Sequence, residues 1–242
     1  MKRIIFIPIE PLIERYSANW LRWFPKEFDR LGINYVMINP RPLSDKIRDG
    51  SFLDISGTHY YKAMQLAEIS RMIYNYQITD NDVFFIADAW YSGIEALAYM
   101  RDGLGLDFKI AGILFAGTYD PNDFLTKKGM EYWGKDLENS WLRIYDKIFV
   151  GSDFHKRLIC STRDADPKKI SVVGHPSYYE GTHCEKENII VFPHRLDEEK
   201  NPHLFDSLSV MVEESFPDWK CIKTKEVCKT KQEYLDLLER AK

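Results

Sequence analysis

Two cations stand at the point where an apolar run gives way to a helix start. In the stretch VFPHRLDEEKNP, residues 191–202, Arg195 follows the apolar run and Lys200 comes directly before Asn201 and Pro202. Unpaired amides and the helix dipole attract anions to a helix N-terminus, and ligands of open α/β sheets lie at the carboxyl ends of strands. Arginine offers a planar fork of donors and lysine a point charge. The arrangement predicts a site for a phosphate or a diphosphate.

The same spacing also fits an ordinary charged turn. Asp197, Glu198 and Glu199 lie between the two cations and could hold them in exposed ion pairs. The residue types alone leave both interpretations open.

A second group of candidates follows two apolar runs in the first part of the chain. Polar and aromatic residues stand where these predicted strands end, namely Asp88, Trp90 and Tyr91 in 86–97 and Tyr119 and Asp120 in 116–124. Asp88 and Asp120 are the candidates for a catalytic carboxylate. The aromatic rings suit the faces of sugars or nucleobases. The alternatives are that Asp88 caps the next helix and that Asp120, more simply, shapes a turn.

Composition argues against several classes of function. The net charge of -4 does not suit a protein whose main task is to grip a phosphate backbone. The four cysteines form no C-x-x-C pair, and the histidines near Cys184 lack metal-ligand spacing, so no metal and no cofactor are predicted. The opening apolar run is too short for a secretory signal, and no stretch has the roughly 18 apolar residues of a membrane span. These features predict a soluble, cytoplasmic protein.

Strand-like and helix-like segments alternate along the chain. Short apolar runs typical of strands occupy 3–9, 34–40, 82–88, 108–117, 146–152, 169–175, 188–194 and 219–224. Helical spacing occupies 17–32 and 60–76. A further helix is predicted to start with Asn201 as its N-cap and Pro202 in its first turn. A capping box at Thr230 and Glu233 opens a last helix. Strands joined by helices of this length predict an α/β fold with parallel sheets.

The pattern breaks between the sixth and seventh strands. Proline, glycine and charge interrupt it near 176–187, which predicts a first domain at 1–178, a hinge at 179–187 and a second domain at 188–242. The second segment has two strands, too few to bury both faces of a parallel sheet, so this domain is predicted to be incomplete and to expose apolar surface. Within this domain, the helix that starts near Pro202 is expected to carry an apolar face, formed by Leu204, Phe205, Leu208, Met211 and Val212.

Three segments in order carry a resemblance to a known family. VFPHRLDEEKNPHLFDSL resembles the donor-domain motif of glycosyltransferase family four, DKIFVGSDFHKRLI (146–159) resembles the end of its acceptor domain, and KISVVGHP (169–176) resembles the strand leading to its hinge. The resemblance implies a GT-B fold of two Rossmann-like domains. It also implies sugar transfer, with retention and without a metal, from a nucleotide-diphosphate donor to an acceptor hydroxyl.

In that family the matching Arg195 and Lys200 contact the donor diphosphate, and His194 stands where a glycine is usual. The Pro-His-Arg version is most similar to a subgroup with tRNA-queuosine mannosyltransferases and phage and bacterial relatives. Trp90, Tyr91 and Tyr119 would then lie on the acceptor side, with a nucleic-acid base, a glycan or a small molecule as acceptor.

The chain also departs from the family pattern. It has no glycine-rich loop in 8–17, no histidine in 114–121, and no room before Lys242 for the E-x7-E segment that holds the donor sugar. A non-catalytic remnant of the fold that acts as a binding module is therefore the alternative function. A sugar-phosphate epimerase or a phosphorylase of similar architecture would need a base that the sequence does not reveal.

Overall fold

The computed structural model describes residues 2–12, 16–44, 54–176 and 184–242. The chain divides into two compact units, Met1–Pro176 and Ser177–Lys242. Most of the hinge predicted at 179–187 lies outside the described residues.

The first unit is built on a parallel sheet. In the described part of the chain this sheet has six strands, and they run β2-β1-β3-β4-β5-β6 across it. The strands β1 to β6 are Arg3–Ile7, Asn34–Met37, Asp82–Ile86, Lys109–Ile113, Lys147–Val150 and Ile170–Val172. Because β1 lies between β2 and β3, the order reverses direction at β1 and β3, which is where open α/β sheets hold ligands.

Helices connect these strands and cover both faces of the sheet. The helices α1 to α6 are Trp20–Arg30, Ile55–Tyr74, Ile94–Leu104, Phe124–Lys127, Glu131–Ile144 and Asp153–Thr162. Strand residues alternate between faces, so Ile5 and Ile7 join one buried cluster while Phe6 joins another with Trp20 and Phe28 of α1. Burial on both faces explains why the strands are nearly continuous apolar runs.

The second unit contains a smaller parallel sheet. Its strands are β7 (Ile189–Phe192) and β8 (Lys220–Lys223), paired with Ile189 opposite Lys220. Its helices are α7 (Pro202–Ser215), α8 (Thr224–Val227) and α9 (Lys231–Arg240). The predicted α/β class is confirmed, and the two parallel sheets are consistent with the GT-B-like fold that the resemblance implies.

One prediction about α7 is wrong. Pro202 occupies the first turn as expected, but Asn201 adopts a left-handed conformation (φ +54°) and its side chain makes no capping hydrogen bond. The apolar face of α7 is mostly uncovered: Phe205 is buried, whereas Leu204, Leu208 and Met211 are 69%, 46% and 66% exposed. This exposure agrees with the apolar surface that the sequence predicts for this part of the chain.

The capping box predicted for α9 is confirmed and stabilises the start of this helix. The Thr230 side chain accepts from the backbone of Glu233, whose carboxylate accepts in return from the backbone of Thr230. Thr230→Ala is expected to lower the free energy of unfolding by about 1 kcal/mol, because a helix amide loses its partner. Hydrogen exchange of the α9 amides measures the loss, with Ser207→Ala as a control in mid-helix. Equal protection in both variants would contradict the prediction.

Candidate functional site

The carboxyl ends of β3, β4 and β5 place polar side chains along one edge of the large sheet. After β3, Asp88 accepts a hydrogen bond from Lys62 of α2, with Nζ and Oδ2 3.1 Å apart. Lys62 also donates to the carbonyl of Trp90 at 2.6 Å, so this lysine joins the helix to the end of the strand. Asp88 does not cap α3, because Gly93 holds the N-cap position without a side-chain bond. That alternative for Asp88 is wrong.

The two aromatic residues after Asp88 differ in their surroundings. Tyr91 is buried, and its hydroxyl donates to the carbonyl of Lys62 at 3.0 Å. Trp90 is partly exposed, and its indole nitrogen donates to Glu138 at 2.9 Å. Tyr91 therefore supports Lys62 from the core, while Trp90 packs against Trp133 and Trp141 and remains partly exposed.

A buried ion pair fixes the loop after β4. Glu138 of α5 and Arg163, which follows α6, are 2.8 Å apart and only 4% and 3% exposed. The Glu138 carboxylate accepts four hydrogen bonds, from the Thr118 backbone and hydroxyl, the Trp90 indole and the Arg163 guanidinium. A buried charge is tolerated where its hydrogen-bonding capacity is filled in this way.

Two glycines allow this close packing. A Cβ at Gly117 would lie 2.3 Å from the Tyr119 ring, and a Cβ at Gly134 would lie 2.6 Å from the Thr118 methyl group. Real Cβ atoms do not approach other atoms so closely, so both positions exclude a side chain. The loop is therefore pressed directly against α5.

Tyr119 and His155 form a hydrogen-bonded pair at the same edge. The Tyr119 hydroxyl lies 2.6 Å from Nε2 of His155, which is in the first turn of α6. Burial, reinforced by Glu138 and three aspartates, raises the pKa of Tyr119 well above its ordinary value. Burial lowers the pKa of His155, against an opposing effect of Asp120. Both directions favour a neutral pair at pH 7.

Two aspartates shape the turn beside this pair. Asp120 accepts from the backbone of Asn122 at 2.8 Å, so the proposed turn-forming role of Asp120 is realised. Asp123 caps α4 by accepting from Leu125 at 2.8 Å. Burial raises the pKa of Asp123 above its ordinary range, with the capping hydrogen bond opposing the shift.

In the second unit, the two predicted cations lie on the loop between β7 and α7. Arg195 is three residues past the end of β7, and Lys200 ends a short 3₁₀ turn, Glu198–Lys200, two residues before α7 begins. Nη1 of Arg195 lies 2.9 Å from Oδ2 of Asp197, and the side chains are 52% and 51% exposed. His194 is exposed, and its ring meets that of Phe192 edge-on.

Sequence reasoning identified part of this arrangement and missed part. It named Asp88, Trp90, Tyr119 and Asp120, which the structure brings to one edge, and Tyr91, which lies in the core behind them. It missed the side chains that hold them in place: Lys62, Glu138, His155 and Arg163. In the described ranges no three His, Cys, Asp or Glu side chains form a group that could hold a metal ion. None of the described helices is long and apolar enough to cross a membrane.

No protein-family model matches the chain, and a search of the curated proteins finds no match. Among solved structures, 26 chains match. One is the glycosyltransferase from Rickettsia africae ESF-5, with a TM-score of 0.43 and 12% sequence identity, over 99% of this chain and 71% of that one.

Proposed function

We propose that the chain belongs to a glycosyltransferase that moves a sugar from a nucleotide-diphosphate donor to an acceptor hydroxyl, and that Arg195 and Lys200 bind the donor diphosphate. The observation that carries the proposal is the position of these two cations. They lie on one short loop between the carboxyl end of a parallel strand and the N-terminus of α7, a helix of 14 residues. The N-terminus of α7 carries partial positive charge that attracts anions. The loop also lies at the carboxyl end of a parallel strand, where ligands of such sheets bind.

The chemistry of the proposed reaction explains why cations are needed there. When the bond to the sugar breaks, the nucleoside diphosphate leaves with an added negative charge. Preorganised positive groups stabilise such charge more in the transition state than in the ground state. Arg195 would bind two phosphate oxygens with its fork, and Lys200 would add a point charge next to the first amides of α7. His194, exposed beside them, is the third donor-side residue of the proposal.

The contact between Arg195 and Asp197 is compatible with this role. An ion pair exposed to this extent contributes about 0–1 kcal/mol, because solvent screens the charges. A diphosphate offers more negative charge than one carboxylate and a geometry that matches the guanidinium fork. Asp197 therefore competes weakly with the donor for Arg195.

Three finer features of the proposal rest on the resemblance of the sequence to glycosyltransferase family four. These features are retention of configuration at the sugar, independence of a metal, and membership of the subgroup with the Pro-His-Arg motif. Trp90 and Tyr119 are proposed on the acceptor side, with Tyr91 supporting them from the core. The acceptor is a modified nucleobase or a glycan in this proposal.

A binding experiment tests the donor loop directly. Asp197→Asn is expected to tighten the binding of a nucleoside diphosphate about two- to fivefold, since it removes a competitor worth up to about 1 kcal/mol. The measurement is the shift in melting temperature with UDP, GDP and ADP, followed by calorimetric titration. Asp218→Asn, an exposed aspartate in the same unit, controls for the change in net charge.

The outcomes separate the possible functions. Tighter binding in Asp197→Asn, with no change in Asp218→Asn, supports the diphosphate site. Weaker or unchanged binding in Asp197→Asn contradicts it. Binding of nucleotide sugars without any turnover would indicate the alternative, a non-catalytic binding module.

A further inference from the structure

The hydrogen bond between Tyr119 and His155 determines which nitrogen of the imidazole carries the proton. The Tyr119 oxygen and Nε2 of His155 are 2.6 Å apart, and in the described part of the chain the buried hydroxyl has no other hydrogen-bonding partner. Burial raises the pKa of Tyr119 well above its ordinary value, so the phenol keeps its proton at pH 7. The hydroxyl therefore donates to Nε2, and the proton of the neutral imidazole is on Nδ1.

The N–H at Nδ1 of His155 is an unused donor. His155 is half-buried in the first turn of α6, and its only other hydrogen bond among the described residues joins its backbone to Ser152. Burial lowers the pKa of His155, so at pH 7 the ring offers a neutral N–H rather than a positive charge. His155 follows β5 and Tyr119 follows β4, its parallel neighbour, and ligands of such sheets bind at these strand ends.

Asp120 supplies an unused acceptor beside this donor. It follows Tyr119 directly in the chain, and its charge acts on both Tyr119 and His155. Its Oδ1 accepts from the Asn122 backbone at 2.8 Å, whereas its Oδ2 has no hydrogen-bonding or ionic partner in the described ranges. A neutral donor and a carboxylate oxygen are therefore available at the same edge of the sheet.

This combination matches a hydroxyl group. A hydroxyl donates one hydrogen bond and also accepts, so it can satisfy Asp120 and His155 together. A phosphate would only accept, and would leave the carboxylate facing another negative charge. An ammonium would only donate, and would leave the N–H of His155 without an acceptor.

The charges around the pair also disfavour a phosphate. Asp120 and Asp123 both act on Tyr119, and neither has a cationic partner among the described residues. Two other carboxylates that act on Tyr119 are balanced by ion pairs, Asp88 with Lys62 and Glu138 with Arg163. The edge is therefore net negative, and a polyanion would be repelled from it.

Aromatic rings lie beside the same loop. Oε1 of Glu138 accepts from the Trp90 indole at 2.9 Å and from the Thr118 backbone at 2.6 Å, so Trp90 lies next to the turn that carries Asp120. Trp133 packs against Trp90 with the ring centroids 6.1 Å apart, and both are partly exposed. Indole rings combine a large apolar surface with a polar N–H, which suits the C–H face of a sugar.

We propose that the acceptor is a carbohydrate, and that Asp120 and the Nδ1–H of His155 bind one of its hydroxyls or two neighbouring ones. Asp120 accepts from the sugar, His155 donates to it, and Tyr119 is the positioning residue that fixes the tautomer. This inference rests on the proposed function, because it narrows the acceptor to one class. All of these residues belong to the first unit, so binding needs no group from the second.

A spectroscopic experiment tests the tautomer without any ligand. In protein with ¹⁵N-labelled histidine, Nδ1 of His155 is expected to give the shift of a protonated nitrogen at pH 7, and Nε2 that of an unprotonated one. His155→Gln assigns the signals among the six histidines of the sequence. An unprotonated Nδ1 overturns the proposal, because the ring would then have no donor for a sugar.

A binding experiment tests the class of ligand. The probes are the methyl glycosides of glucose, mannose and galactose, titrated against the full chain by ligand-observed NMR, and at least one is expected to bind. Asp120→Asn should weaken that binding about 10- to 100-fold, since a hydrogen bond to a charged group is lost. His155→Leu should weaken it about two- to tenfold, and His155→Gln should recover part of the loss because its amide keeps an N–H.

Two exposed residues of the same unit serve as controls. Asp136→Asn on α5 and His59→Leu on α2 make the same changes in charge and ring away from the site, and both should leave glycoside binding unchanged. An RNA hairpin, which carries the phosphates that a nucleobase acceptor would bring, is expected not to bind at physiological salt. Binding of the hairpin but of no glycoside overturns the proposal, and so does glycoside binding that Asp120→Asn and His155→Leu leave unchanged.

These results are separable from those for the donor loop. Binding of UDP, GDP and ADP tests the proposed function through the second unit, and Asp120→Asn should not alter it. Glycoside binding without any nucleoside diphosphate binding would contradict the proposed function and support the sugar site. The reverse result, nucleoside diphosphate binding without any glycoside binding, would support the proposed function and overturn the sugar site.

Discussion

Replacing Glu138 by alanine is expected to lower the free energy of unfolding of the first unit by about 3–5 kcal/mol. The substitution leaves the Arg163 guanidinium buried without its counter-ion, and breaking one side of a buried pair has this cost. The Thr118 backbone amide and the Trp90 indole lose their acceptor as well, and an unsatisfied buried donor is itself unfavourable. The effect is large because four hydrogen bonds converge on one carboxylate.

The measurement is urea unfolding followed by tryptophan fluorescence, since five of the six tryptophans precede residue 177. Asp136→Ala on the exposed side of α5 is the matched control and should cost little. Replacing both partners, with Glu138→Leu and Arg163→Met, should recover much of the loss, because no charge is then stranded. A cost for Glu138→Ala as small as that of Asp136→Ala would show that the pair does not stabilise the loop.

Arg195→Ala is expected to reduce donor turnover by roughly 30- to 1,000-fold, equivalent to about 2–4 kcal/mol in the barrier. The loss should be greater in kcat than in donor binding, because the charge on the diphosphate is largest as it departs. Arg195→Lys should recover only part of the rate, since lysine keeps the charge but lacks the planar fork. The melting temperature should change little, because the exposed pair with Asp197 contributes at most about 1 kcal/mol.

The measurement is kcat and KM for nucleotide-sugar hydrolysis or transfer, alongside the melting temperature. Arg240 offers a matched control, since it forms an exposed ion pair with Glu187 at 3.0 Å in the same unit. Arg240→Ala should leave turnover unchanged. If Arg195→Ala keeps full activity but loses stability, the charged turn is structural and the donor proposal fails.

The elements of the fold could be predicted from the sequence, because the strands are buried on both faces. All eight apolar runs expected to be strands contain one, although each run is longer than its strand. The ends differ because the residues that follow a parallel strand stay apolar while their backbone turns away from the sheet. Ala87 and Leu114 are examples, both buried just beyond their strands.

The candidate site was only partly predictable, because its supporting side chains come from distant segments. Glu138 carried one usable signal: it shares the buried face of α5 with Gly134, Trp141 and Leu142, where a charge is unexpected. Arg163 carried none, since it follows the end of a helix and gives no indication of a partner 25 residues earlier. His155 was read only as part of a family-like segment, and its contact with Tyr119 depends on the pairing of β4 and β5.

The strand order has a consequence for how the chain folds during synthesis. Arg3 pairs with Asp82 across 79 residues of sequence, so the first strand meets its central neighbour only after the third has been made. At about 5–20 residues per second, that interval is roughly 4–16 s. From β3 to β6 each new strand of the large sheet adds beside the one before it, which requires shorter loop closures. The early segment is therefore the part of the nascent chain that waits longest with apolar surface uncovered, and it is where a chaperone would have the most time to act.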